Sequence, residues 1–167
     1  LSLSGSNFAD MPMDPPSDFT LVLNGTFAVS SHNLTSKGTE KRPAMLQVKG
    51  SNAKIAGKIF HTSQGLQAIS VNGGQHNVIQ NVIATTTTKD DMSAIGIHGG
   101  KYHEVTGCTV TGGARGIWTL GASQIYVHHN NVRNCATHAL DFDAYTSYSV
   151  ALSSICQGNG AEGIFGA

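Results

Sequence analysis

An apolar pattern repeats along this chain with a period of about 23 residues. One track consists of apolar residues at spacings of 23, 26, 22, 23 and 24: Leu46, Ile69, Ile95, Ile117, Leu140 and Ile164. A second track pairs apolar residues five positions apart: Ile55/Phe60, Val78/Ile83, Val105/Val110, Val127/Val132 and Val150/Ile155. Both tracks lengthen in the same unit, at residues 85–92, so they belong to one repeating unit.

Each unit contains short apolar runs separated by Gly, Asn and Asp, without a helical stripe of apolar residues. A period of this length with several strands per unit predicts an all-β solenoid, in which neighbouring units share one core. Leucine-rich repeats of similar length need an LxxLxLxxN frame, which the sequence lacks. An antiparallel sandwich would not repeat the same positions six times.

Three segments resemble the right-handed parallel β-helix family of carbohydrate-active, pectin lyase-like proteins: residues 18–26, 77–82 and 125–132. The resemblance implies a single-stranded parallel β-helix of about six coils over residues 18–167, preceded by an N-terminal segment at 1–17. The chain stops at Ala167, inside a repeat and without a polar cap. We therefore expect the helix to be incomplete there, with its end covered by further coils, another chain or another copy.

The composition limits the kinds of partner that the protein is expected to bind. Ten Lys and Arg balance ten Asp and Glu, which argues against nucleic acid or an anionic membrane as the main partner. No apolar run reaches the roughly 18 residues of a membrane span. Charged residues make up only 12%, and two glycosylation sequons begin at Asn24 and Asn33. These features predict a secreted glycoprotein.

Strand alternation predicts which side chains face outward. In the first strand of each unit, one outward row is Gln47, Ser70, Gly96, Trp118, Asp141 and Phe165, and a second is Lys49, Asn72, His98, Leu120 and Asp143. At the bends, Asn81, Asn130 and Asn131 are expected to be structural, because an Asn amide can cap a left-handed turn.

The outward rows predict a binding site for an extended polysaccharide. Trp118 can stack on a sugar ring, with Asn72 and Tyr145 as further substrate contacts. Arg115 can pair with a uronate carboxylate. A base or an acid could come from a set of four side chains: His98, His138, Asp141 and Asp143.

Residues 138–164 are similar to the catalytic coil of mannuronan C5-epimerases, whose Asp-Pro-His-Asp/Glu motif is followed by an Asn-Gly-x-x-Gly turn. Aligning that turn on Asn159-Gly160 places Asp141 on the first Asp, whereas Phe142, Asp143 and Ala144 replace the other three positions. The resemblance implies a uronate polysaccharide lyase or C5-epimerase, with Asp141, Asp143, His98, His138 and Arg115 as candidate catalytic residues.

Two other functions stay open. Asp141 and Asp143 lie on the same side of one strand, as the carboxylate pair of a glycoside hydrolase could. Alternatively, the solenoid is a non-catalytic structural or sugar-binding module. No cofactor is expected, with calcium at the two aspartates left open, although two carboxylates supply few of the about six to eight oxygens that it needs. Neighbouring strand residues face opposite sides, so His128 and His129 are not expected to share a metal.

The three cysteines fit no zinc pattern. Cys135 and Cys156 lie in adjacent units and form either a disulfide or two small buried thiols. Cys108 is expected to fill space in the core.

Overall fold

A computed structural model describes residues 44–56, 67–87 and 92–167 with their side chains, apart from the side chain of Met45. It also describes the backbone of five further short strands, at 2–4, 21–24, 28–29, 34–36 and 59–62. The sequon residue Asn33 and the residues 88–91 of the lengthened unit lie outside this description, and Asn24 is described only as the backbone end of a strand. Within the described residues, no helix is long and apolar enough to cross a membrane.

All strand pairs are parallel and form three sheets. The first sheet contains β1 (Ser2–Ser4), β2 (Leu21–Asn24), β5 (Ala44–Val48), β8 (Gln67–Asn72), β11 (Ser93–His98), β14 (Arg115–Leu120), β17 (Leu140–Phe142) and β20 (Ile164–Gly166). The second contains β3 (Ala28–Val29), β6 (Lys54–Ala56), β9 (Val78–Gln80), β12 (Glu104–Thr106), β15 (Tyr126–His128) and β18 (Val150–Leu152). The third contains β4 (Leu34–Ser36), β7 (Ile59–Thr62), β10 (Ile83–Thr86), β13 (Thr109–Gly112), β16 (Asn131–Arg133) and β19 (Ile155–Gln157).

One coil therefore consists of one strand from each sheet, and successive coils stack strand on strand. The predicted all-β parallel solenoid is confirmed. Its coil count differs from the predicted six: four consecutive coils, from β8 to β19, have all three strands and their side chains described. The strand β1 adds a parallel strand from within the predicted N-terminal segment to the first sheet.

The register of the first sheet confirms the first apolar track. Ile69, Ile95, Ile117, Leu140 and Ile164 lie side by side on consecutive strands. Four of these five side chains are buried in one continuous core, whereas Ile164 on the last strand is 57% exposed. The outward rows also have the predicted order, with Ser70, Gly96, Trp118, Asp141 and Phe165 in line.

The second apolar track is wrong in two units, where the residue that faces the core lies one position after the predicted one. In the second sheet, the row that faces the core is Ile55, Ile79, Val105, Val127 and Ala151, instead of a row through Val78 and Val150. The third sheet has the same offset, with Ala84 and Cys156 on the core row instead of Ile83 and Ile155. A slip of one residue moves a side chain to the opposite face of a strand. Accordingly, Val150 and Ile155 are 50% and 57% exposed.

Side-chain acceptors from the following coil satisfy backbone N–H groups at the bends. Asn77 Oδ1 accepts from Ala53 N–H at 2.8 Å, and His103 Nδ1 accepts from Asn77 N–H at 3.2 Å. At the next bend, Asn130 Oδ1 accepts from Cys108 N–H at 2.9 Å, while its Nδ2 donates to Val105 O at 2.9 Å. The predicted structural role of Asn130 agrees with these contacts. Asn81 contributes differently, by adopting a left-handed φ of 53°.

All three cysteines are free thiols, so of the two alternatives for Cys135 and Cys156 the structure has thiols rather than the disulfide. Cys156 pairs in register with Val132, which lies three residues before Cys135. The two cysteines are therefore not opposite each other on adjacent strands. Burial raises the pKa of Cys135 to about 12 and that of Cys108 to about 11, which keeps both thiols protonated at neutral pH.

Replacing Asn130 by Ala should lower the free energy of unfolding by about 2–4 kcal/mol, because a buried N–H and a buried carbonyl lose their partner. Chemical denaturation measures the change. The control is Asn131→Ala, since Asn131 is half-exposed and its side chain bonds the nearby Arg133 side chain instead of buried backbone groups. Equal losses in both variants would contradict the role assigned to Asn130.

Stability should also depend on His103. Burial lowers the pKa of His103 from 6.5 to about 4, so the folded state binds fewer protons than the unfolded state between these values. The contribution of the neutral His103 to the free energy of unfolding is therefore complete above pH 6.5. As the pH falls towards 4, on the order of 3 kcal/mol of this free energy is lost. His103→Asn, which keeps an acceptor as Asn77 does, should flatten this part of the stability–pH curve. His129→Ala, which removes an exposed histidine at another bend that does not contribute to the pKa shift of His103, should leave the slope unchanged.

Candidate functional site

The candidate residues lie on the outer face of the first sheet, on strands β11, β14 and β17 and the segments that flank them. The start of these strands departs from simple alternation. Ala68 and Ile69 are both in the core cluster, as are Ala94 and Ile95, and Ala139 and Leu140. Two consecutive inward residues turn the residue before them outward. His138 and Arg115, which pairs in register with Ser93, therefore project from the same face as Trp118 and Asp141.

Arg115 and Asp141 form an ion pair at the centre of this face. Arg115 Nε donates to Asp141 Oδ2 at 2.5 Å, and the side chains are 17% and 1% exposed. Burial raises the pKa of Asp141, while the hydrogen bond from Arg115 and its positive charge oppose that shift. The second carboxyl oxygen of Asp141, Oδ1, is buried without a hydrogen-bond partner. An unsatisfied buried oxygen favours the protonated carboxyl further.

Trp118 connects the ion pair to the other candidate residues. The Arg115 guanidinium lies over the indole ring, 4.6 Å from its centroid, in a cation–π arrangement. The His98 ring meets Trp118 edge-on, at a centroid distance of 5.0 Å. Trp118 Nε1 donates to Asp143 Oδ2 at 3.2 Å, and Asp143 Oδ1 accepts from Ala144 N–H. Trp118 is thus held on several sides and is a less open stacking platform than the sequence predicted.

His98 is held by Gln67, which Ser93 positions, and sequence analysis missed both residues. Gln67 Oε1 and Nε2 lie 3.2 and 3.1 Å from His98 Nε2, and Gln67 Nε2 donates to Ser93 Oγ at 2.8 Å. Burial lowers the pKa of His98, so its imidazole is neutral at neutral pH. Strict alternation places Gln67 and Ser93 in the core. Their signal in the sequence is that each precedes an Ala-Ile pair, in the position that Arg115 and His138 occupy in later coils.

His138 lies at the edge of the face with a partner that sequence analysis also missed. Its Nδ1 is 2.6 Å from Glu162 Oε2, and its ring stacks on Phe165 with centroids 4.7 Å apart. The negative charge near His138 is thus Glu162 on the following coil, besides Asp141.

The two further substrate contacts predicted from the sequence differ in position. Asn72 lies next to His98 on the neighbouring strand, where its Nδ2 donates to Ser70 Oγ at 2.9 Å. Tyr145 lies in the bend after β17, with φ of 65° and a side chain that is 89% exposed. This bend, at residues 143–149, is longer than the equivalent one at 121–125, so Tyr145 extends beyond the cluster into solvent.

The cluster brings together a guanidinium, a neutral imidazole, two carboxyl groups and an indole. Such a set can hold an anionic ligand and transfer protons to or from it. Among the residues that the structure describes, no group of three or more His, Cys, Asp or Glu is arranged to hold a metal ion.

Comparison with known proteins identifies the fold. Residues 44–167 match the family model described as a right handed beta helix region. The chain belongs to the right-handed β-helix family. A solved alginate lyase from Paenibacillus sp. str. FPU-7 aligns over 99% of both chains at 10% identity, but the TM-score of 0.20 is too low to bear on this β-helix. No curated protein matches the chain.

Proposed function

We propose that the outer face of the first sheet binds an acidic polysaccharide and acts on its uronate residues as a lyase or a C5-epimerase. The observation that supports this most is the cluster around Trp118, which joins the Arg115 cation, the neutral His98 and the buried Asp141. The face extends across successive coils spaced about 4.8 Å apart, which suits an extended polymer better than a compact metabolite.

Arg115 is the residue that selects a uronate in this proposal. The C5 proton of a uronate becomes acidic enough to abstract only when a cation neutralises the adjacent carboxylate. The Nε–H of Arg115 is bonded to Asp141 in the free protein, so a substrate carboxylate competes with Asp141 for it. A guanidinium that turns towards the substrate uncovers the Asp141 carboxyl beneath it.

Proton transfer is then divided between His98 and Asp141. The neutral His98 accepts the C5 proton, and the electron pair is held by the carboxylate that Arg115 neutralises. In a lyase the electron pair expels the sugar at C4 and leaves a double bond, with Asp141 donating a proton to the departing oxygen. In an epimerase a proton returns to C5 from the opposite face. The raised pKa of Asp141 suits the donor.

Glycoside hydrolysis is a second candidate that one observation favours. The charge of Asp143 contributes to the raised pKa of Asp141, so the two carboxyl groups are close enough to influence each other. Hydrolases use such a pair, with one acid and one carboxylate. Asp143 accepts hydrogen bonds from Trp118 Nε1 and from the Ala144 N–H, which fix the position of its carboxyl group.

We further propose that the protein is secreted. The low content of charged residues and the sequons at Asn24 and Asn33 are the features that support it. Glycan attachment at either Asn in secreted material would be seen as added mass.

The binding step can be tested through Trp118, which is the only tryptophan of the chain. Uronate oligosaccharides should change its fluorescence, because a carboxylate that attracts Arg115 alters the cation over the indole ring. Arg115→Gln should weaken uronate binding at least about tenfold, in line with the loss of a charge-assisted hydrogen bond. The control Arg133→Gln removes an exposed cation on the third sheet and should bind as the wild type does.

The reaction is identified by its products from alginate and pectin. Ultraviolet absorbance of unsaturated ends indicates a lyase, inversion at C5 in NMR spectra indicates an epimerase, and saturated reducing ends indicate a hydrolase. Binding without products would leave the non-catalytic module. Uronate and neutral oligosaccharides bound equally well, or equal affinities in both arginine variants, would contradict the proposal.

A further inference from the structure

A second cluster of titratable side chains lies on the second sheet, where β12 and β15 pair. Glu104, Thr106, Tyr126 and His128 are neighbours in register across the two strands. His128 Nε2 lies 2.8 Å from Glu104 Oε1, and its ring stacks on Tyr126 with centroids 4.0 Å apart. His128 is thereby fixed in orientation, with a side chain that is 13% exposed.

The next residue, His129, turns back onto His128. Strand alternation predicts that the two imidazoles point to opposite sides, and the structure shows this to be wrong. His129 has a φ of 55°, the left-handed conformation that Asn81 and Gly107 adopt at the same bend. The turn brings His129 Nδ1 to 2.7 Å from His128 Nδ1. Two potential ligand atoms therefore lie next to each other on the surface.

The contact with Glu104 determines which nitrogen of His128 is available. A carboxylate only accepts hydrogen bonds, so His128 Nε2 carries the proton and Nδ1 carries a lone pair in the neutral ring. His129 Nδ1–H donates to that lone pair in the metal-free protein. When the ring proton of His129 moves to its Nε2, both Nδ1 atoms carry lone pairs, and a rotation of the exposed His129 ring directs both of them at one ion.

We propose that His128 Nδ1 and His129 Nδ1 form a binding site for one divalent copper ion, with Glu104 as the residue that orients His128. A carboxylate bonded to the far nitrogen of a ligating histidine is the usual second partner of such sites. Thr106 Oγ1, 3.2 Å from His128 Nδ1, is in place to bond a metal-bound water. The site lies on a different sheet from the Trp118 cluster and does not depend on the proposed polysaccharide activity.

The ligand type and the small movement required together favour copper. Nitrogens about 2.05 Å from a metal are about 2.9 Å apart at a right angle and about 3.4 Å apart at the tetrahedral angle of zinc. The 2.7 Å contact is the length of the hydrogen bond between the two rings, and tetragonal copper requires a separation only about 0.2 Å longer, whereas zinc requires about 0.7 Å more. Copper also binds nitrogen ligands most tightly among the first-row divalent metals. Two protein ligands leave the remaining positions to water.

The test uses the full chain and Cu²⁺ alone in a non-coordinating buffer at neutral pH. Calorimetry should show one Cu²⁺ per chain. Electron paramagnetic resonance should show a tetragonal signal with hyperfine coupling to two imidazole nitrogens. His129→Asn, which suits a left-handed position, and His128→Gln should each lose this signal. Glu104→Gln should keep the signal and weaken binding about 10–100-fold.

His76→Ala is the matched control, because His76 is also an exposed histidine at a left-handed bend position and stacks on a tyrosine. It should bind copper as the wild type does. The proposal is overturned if His129→Asn retains the affinity and the two-nitrogen signal. It is equally overturned if the wild type binds no more tightly than His128→Gln, or if Zn²⁺ binds more tightly than Cu²⁺.

Discussion

The stacking of this β-helix depends on how backbone N–H groups are satisfied where the chain leaves one sheet for the next. Within the strands, parallel ladders pair these groups. At the bends, side chains of the following coil accept from the N–H groups of Ala53, Asn77, Cys108 and Cys135. Each acceptor reaches only the adjacent coil, so these bonds fix which residue lies above which. An unsatisfied N–H in a buried bend would cost about as much as a core truncation.

That fixed register creates the two side-chain clusters. On the first sheet it aligns Gly96, Trp118 and Asp141, and it leaves room beside Gly96 for Gln67 to reach His98. A side chain in place of Gly96 would meet Gln67 and His98 at well under 3 Å. On the second sheet the same regular stacking sets Glu104 beside Tyr126 and Thr106 beside His128, so that Glu104 reaches His128 diagonally. Both clusters combine groups from successive coils, which no single repeat could supply.

The sequence predicted the first sheet well because one apolar pair per unit, with polar residues between and after it, defines the core side without ambiguity. It failed where neighbouring apolar residues offered two registers, as at Val78-Ile79 and Val150-Ala151, since backbone bonds to the next coil decide between them. Strict alternation also failed at left-handed and double-inward positions, which brought His129 to His128 and turned Gln67 outward. The pairing of Arg115 with Asp141 depends on the conformations that these long side chains adopt, and the spacing of residues in the sequence does not determine those conformations.

Mapping a bound uronate oligosaccharide by NMR would test the central claim that the outer face of the first sheet is the binding site. Titration of the ¹⁵N-labelled protein should shift the Trp118 indole and Arg115 Nε–H signals first, followed by amides of β11, β14 and β17. The signals of Tyr126 and Asn131 on the other two sheets should stay in place. Saturable shifts confined to the second or third sheet, with Trp118 and Arg115 unchanged, would contradict this account.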